Sequence, residues 1–167
     1  MLVDESGTHR QRVTSGEQIA KPRSWHVTLV PSDQPEVVST LRWMFATYAE
    51  RDVGLRQLAD QLNAKGIPGP TGGPLYAASI KAILENDAYT GTLIWPKRRL
   101  GKYHRVALNT VKERDTSEVT CTGQPTAVDN VREEQIVKPD CWDALVEQST
   151  FDAVQAKLER RRRAAPG

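Results

Sequence analysis

Lys97, Arg98, Arg99, Lys102 and Arg105 fall within nine consecutive positions. Between Tyr89 and Arg114 seven cations stand against one acid, Glu113, a local net charge of +6. Residues 115–159 reverse this with ten acids and three bases, a net of −7, before Arg160, Arg161, Arg162 and Arg163 follow in a row. The whole 167-residue chain nets only +2. A concentrated basic stretch in a nearly neutral chain can do electrostatic chemistry: it can pair with a polyanion and release that polyanion's counterions. The plain alternative is a solvated charged face.

Bond-making chemistry has weaker support. Asp140, Cys141, Trp142 and Asp143 are adjacent, but adjacency along the chain does not pair side chains in space. His9, His26 and His104 are scattered, and neither Cys121 nor Cys141 belongs to a CxxC pair. A zinc site is therefore not expected, and the two cysteines are expected as free thiols. There is no Gly-x-Ser-x-Gly, P-loop or Rossmann fingerprint, and Gly72-Gly73 has no strand before it to make a phosphate cradle. No catalysis within this chain and no cofactor are expected.

The elements that would carry the cations are readable from apolar spacing. Residues 24–30 have β-forming character and end at Pro31. Ser32 or Asp33 is expected to cap a helix with Pro35 in its first turn and Val37, Val38, Leu41, Met44, Phe45 and Tyr48 on one face. Leu55, Leu58, Ala59 and Leu62 predict a second helix, stopped by Gly66. A loop with three prolines and three glycines covers 67–75, and a short third helix follows from Ala77 to about Leu84, with Ile80, Ile83 and Leu84 inward. Residues 90–95 predict a strand, 96–101 a basic turn, and 103–111 the returning partner strand. Phe151, Val154 and Leu158 mark a last helix, capped by Ser149 or Thr150.

This order predicts an α+β fold: a winged helix-turn-helix-like helical domain with a small β-hairpin or sheet and a C-terminal helix. Its expected parts are an arm and strand (1–32), a winged-helix-like core (33–114), a polar, mobile segment (115–140) and the C-terminal helix (141–167). In such a domain the third helix enters the major groove of duplex DNA and the hairpin lays cations on phosphates. The candidate contacts are Tyr76, Ser79 and Lys81 on the helix, and Lys97, Arg98, Arg99, Lys102 and Arg105 on the hairpin. The inter-helix loop is longer than a compact helix-turn-helix uses. Without a basic leader or a long apolar run, a cytoplasmic chain with no membrane partner is expected.

Several of these residues also resemble a known family. Leu58-Ala59, Leu62-Asn63 and Gly66-Ile67-Pro68 are similar to the "I-A-x-x-L-N-x-x-G-I-P" run of the large serine recombinases. Ile83-Leu84, Asn86, Tyr89 and Gly91 match the family's "I-L-x-N-P-x-Y-x-G", with Asp87 where the family usually has proline. Thr150-Phe151, Val154-Gln155 and Leu158 match its "T-F-x-x-V-Q-x-x-L" helix. The resemblance spans roughly residues 33–163.

It implies the recombinase domain of a site-specific recombinase, such as a phage integrase or mobile-element enzyme, binding double-stranded DNA at attachment half-sites alongside other recombinase subunits. It further implies a catalytic serine domain before this one and a zinc-ribbon domain after it, neither visible in this sequence. Two other functions fit the residues: a stand-alone winged-helix transcription regulator, and a protein–protein scaffold docked through the acidic 115–159 stretch.

Overall fold

The structure is a computed structural model that describes residues 1–13, 17–69, 72–99, 104–107, 110–113 and 128–164; among these, the side chains of 98–99, 104–107, 110–113 and 128 are not described. Four helices form its centre: α1 (Pro35–Glu50), α2 (Leu55–Ala64), α3 (Ala77–Leu84) and α4 (Gln148–Ala164). In helix α1, Met44, Phe45 and Tyr48 recur at helical spacing and are buried, while Val37 in its first turn stays half-exposed outside the core. Leu58, Ala59 and Leu62 of α2, Ile80 and Leu84 of α3, and Phe151 and Val154 of α4 complete one apolar cluster with Leu75 and Val146. Phe45 sits at its middle, edge-on to Tyr89 at 5.9 Å between ring centroids and stacked on Phe151 at 6.1 Å. Burying side chains of this size stabilises by about 1.5–3 kcal/mol each before conformational entropy is charged against it.

The ends of these helices follow local chemistry. Pro35 opens α1, where its missing N–H costs nothing. Ser32 Oγ accepts from the N–H of Gln34, which is itself the N-cap, so the expected cap lies two residues before the capping position. Helix α2 stops at Gly66, whose φ of +71° is left-handed. The Gly66 N–H donates to Asn63 O (2.9 Å) and the Ile67 N–H to Leu62 O (3.1 Å), the paired bonds of a Schellman stop. Helix α4 starts at Gln148, a turn earlier than its apolar face suggests.

Strands depart further from expectation. At the N-terminus β1 (Leu2–Val3) lies between β2 (His9–Gln11) and β3 (His26–Val27), all antiparallel. The hairpin following β1 is organised by Asp4, whose carboxylate accepts from the Ser6 hydroxyl (2.6 Å), the Ser6 and Thr8 N–H groups (both 2.9 Å) and Arg10. The Ser6 hydroxyl above all, with the Thr8 N–H and Arg10, holds that carboxyl well below the usual carboxylate range.

Past α3, a short 3-10 turn (Asp87–Thr90) ends where the strand expected at 90–95 should begin, and β4 keeps only Leu93–Trp95. Its partner is not the 103–111 stretch but β9 (Ile136–Lys138), with Ile94 facing Val137 and Trp95 facing Ile136. Arg98–Arg99, expected in a turn, form β5, paired with β8 (Val128–Asp129). The 103–111 stretch instead divides, β6 (His104–Ala107) pairing with β7 (Thr110–Glu113). The single wing hairpin therefore becomes a nested ladder that leaves the helices at β4 and returns at β9. The segment expected to be polar and mobile contributes two of these strands; its 115–127 part lies outside the described residues. Pairing β4 with β9 rather than with its nearest neighbour puts Ile94 and Val137 on the less exposed face.

Candidate nucleic-acid interface

Helix α3 carries the sharpest division of faces. Ile80 and Leu84 are fully buried and Ile83 packs against the core. The opposite face presents Ala78, Lys81, Ala82 and Glu85, all exposed at i, i+3, i+4 and i+7 spacing. Tyr76, just ahead of the helix at its N-cap, is 65% exposed. Ser79 is half-buried on the flank. Lys81 Nζ lies 3.7 Å from Glu85 Oε1, an exposed i,i+4 pair in the weaker Lys-before-Glu order. Two alanines at the centre of the outward face leave it flat enough for close approach by another surface.

Both ends of α3 are held by side chains from elsewhere. Ahead of it, Asn63 of α2 donates from Nδ2 to Leu75 O and accepts at Oδ1 from the Leu75 N–H, both at 2.8 Å. Behind it, Gln155 of α4 donates from Nε2 to Leu84 O at 2.7 Å. Lys97 donates to Glu85 O (3.2 Å) and pairs with Asp87 Oδ2 (2.6 Å). These bonds satisfy carbonyls that a helix end leaves open. Sequence alone does not mark Asn63, Gln155 or Asp87 as site residues, because each finds its partner only once the helices have packed.

The segment after α3 docks through the backbone. Asn86 Oδ1 accepts from the Ala88 N–H and caps the 3-10 turn. Tyr89 O accepts from both Leu145 and Val146 N–H groups, and the Trp142 indole donates to Ala88 O at 2.7 Å. Gly91, with φ +77°, is pressed so closely here that a Cβ would stand 2.5 Å from Trp142 O. Burial pushes the Tyr89 phenol up from its ordinary value, with the Asn86 hydrogen bond partly offsetting this.

The candidate cations divide three ways. Lys81 projects from the outward face of α3, with its side chain half-exposed. Lys97 lies beside the end of α3, where Asp87 already neutralises it. Arg98 and Arg99 are on β5 facing Asp129 and Val128 in register, and Arg105 is on β6 facing Lys112. Lys102 lies outside the described residues. The structure thus joins Tyr76, Ser79, Lys81 and Lys97 to one helix and its ends, and sets Arg98, Arg99 and Arg105 along the ladder.

The C-terminal basic run is largely engaged by the protein itself. Lys157, buried, donates from Nζ to Tyr48 O (2.8 Å) and Arg51 O. Arg161 donates to Val53 O (2.5 Å) and pairs with Asp52 (2.7 Å). Together they close the C-terminal end of α1, and burial, then the Arg161 charge, lowers the Lys157 ammonium from its ordinary value. Arg162 and Arg163 both pair with Glu159 at 2.9 Å. Cys141 is a free thiol. No group of three metal-ligating side chains gathers among the described residues, and no described helix is long and apolar enough to cross a membrane.

The family model described as Recombinase matches residues 35–161, from the first residue of α1 to the arginine that closes its far end. The chain belongs to the Recombinase family. The matched stretch is the recombinase domain of serine recombinases, and its role is in site-specific recombination. No curated protein matches the chain. Within this recombinase domain, α3 and the ladder after it lie inside the matched residues, whereas the β1–β3 sheet lies before them.

Proposed function

We propose that this recombinase domain binds double-stranded DNA at recombination attachment half-sites, with the outward face of α3 against base edges and the ladder's cations on the adjoining phosphates. The observation that carries the proposal is the two-faced α3: sealed into the core through Ile80 and Leu84, open through Ala78, Lys81, Ala82 and Glu85. A helix about 10–12 Å across matches a major groove about 12 Å wide. Lys81 reaches guanine acceptors, the two alanines suit thymine methyls, and Tyr76 and Ser79 donate near the helix start. Arg98, Arg99, Lys102 and Arg105 neutralise phosphate and fix register without reading sequence, and Lys97 joins them when a phosphate displaces Asp87. In the parent recombinase, strand cleavage and rejoining fall to a serine in another domain, and further subunits assemble on the paired half-sites.

The test is a salt titration on a duplex selected by the chain from a randomised pool, with random duplex as control. Log K should fall linearly with log salt. Lys81→Ala should cost about 1–3 kcal/mol on the selected duplex, and Arg98→Ala or Arg99→Ala should weaken both duplexes alike. Binding that ignores salt, or variants that leave it unchanged, would refute this placement.

A second function, docking of another protein subunit, is supported by the ladder's base. Leu93, Trp95 and Ile136 share its outer face and are all exposed, Trp95 by 60%. Trp95→Lys should then reduce self-association in sedimentation without changing duplex affinity; an unchanged sedimentation profile rejects it.

A further inference from the structure

The stretch from Lys65 to Tyr76 is too long for a tight turn between two packed helices, yet α2 and α3 pack directly. Asn63 resolves the conflict. Its side-chain amide meets Leu75 as a neighbouring strand would, one donor and one acceptor matched to the N–H and C=O of the same residue. The Leu75 side chain is anchored in the core, and the next residue, Tyr76, is the N-cap of α3. Asn63 is itself immobilised, since its own carbonyl accepts from Gly66 in the stop of α2. The intervening chain closes on itself, Gly69 N–H to Gly73 O at 2.7 Å and Gly72 N–H to Gly69 O at 2.9 Å. The long loop is thereby bypassed: α2 hands the chain to α3 through one side chain.

We infer that Asn63 is a positioning residue that sets where α3 begins and how Tyr76, Ser79 and Lys81 are presented, and so controls which duplex sequence the domain selects. This rests on the DNA-binding function proposed above. The chemistry is specific to a short amide. Aspartate keeps the acceptor for Leu75 N–H but turns a carboxylate toward Leu75 O. Alanine leaves both groups of Leu75 to water or unpaired, and glutamine is one methylene too long for the same register. Contacts that discriminate between sequences need their supporting shell held to within about 0.5 Å, whereas phosphate contacts do not.

The test uses the full chain and its Asn63→Ala and Asn63→Asp variants, with two independent readouts. Without DNA, hydrogen exchange at the Leu75 amide should quicken about tenfold or more in Asn63→Ala and less in Asn63→Asp, while the Ile80 and Leu84 amides keep their protection. With DNA, the preference for a duplex selected by the wild-type chain over random duplex should fall about tenfold in Asn63→Ala at an unchanged salt slope, with Asn63→Asp between. Unaltered Leu75 exchange overturns the clamp whatever DNA does. Faster exchange with full preference retained overturns the positioning role and leaves DNA binding standing. A wild-type chain that shows no salt-dependent duplex binding overturns the proposed function and this selectivity together, and the exchange readout then separates the clamp from both. Should Asn63→Ala not fold, Asn63→Asp carries the same comparison.

Discussion

The α2–α3 unit and the β4–β9 ladder stand side by side in the matched region and are specified in opposite ways. In the helical unit, Leu58, Leu62, Ile80 and Leu84 are withdrawn from water completely, and the hydrogen bonds of Asn63 and Gln155 trim what burial has already placed. In the ladder, strands of two to four residues depend on backbone pairing, β4 with β9 and β5 with β8 across segments remote in sequence, and three large apolar side chains at its base face outward. The helix proposed to discriminate between sequences is thus fixed by the core, and the cations proposed to hold the phosphates ride on the part built from short paired strands. Selectivity and electrostatic grip should therefore be separable by mutation.

The largest effect is expected where the two regions meet. Gly91→Ala forces a left-handed φ on a residue with a Cβ and drives that Cβ into Trp142 O. It should cost about 3 kcal/mol in chemical denaturation and loosen the ladder from the helices; a loss below about 1 kcal/mol would mean that Trp142 moves aside easily. Next is the junction pair. Asp87→Ala releases Lys97 from its carboxylate and should change stability by less than about 1 kcal/mol. On random duplex it should raise affinity and steepen the salt slope by about one. An unchanged slope would remove Lys97 from the phosphate-binding set.

The smallest change is expected deep in the core. Tyr48 Oη is buried with no hydrogen-bond partner among the described residues, although Lys157 Nζ stands 4.9 Å from the ring centroid. Tyr48→Phe removes a hydroxyl that gains nothing from burial, so thermal denaturation should show no loss and a gain of up to about 1 kcal/mol. A clear loss would reveal a bond that this geometry lacks.

Apolar periodicity made the helices legible. Val37 to Tyr48, Leu55 to Leu62 and Ile80 to Leu84 announced α1 to α3, because each buries one stripe against its neighbours whatever the topology. The α+β class and the C-terminal helix followed. Strand partners were not legible: nothing in the sequence singles out 136–138 over the nearer 103–111 as the partner of β4, whereas in the fold β9 runs directly into the 141–146 stretch on which the 87–91 segment seats. The roles of Lys157 and Arg161 were not legible either: both lie late in α4, yet they serve the end of α1, which only packing brings to them. On the candidate interface, the sequence located α3 and its outward Lys81, but the Asp87–Lys97 pair appears only when both residues are brought to the end of α3.

The register of β4 against β9 has an evolutionary and practical corollary. Trp95 and Ile136 stand across from each other, so the chain leaves the helical body at β4 and rejoins it at β9 through one doorway. Beyond Lys97, which is tied to the end of α3, such a gated insertion can lengthen, shorten or be exchanged for a foreign sequence while the four-helix platform keeps its core. A lineage could in this way retune how far its protein reaches along a target while keeping the part that docks to it.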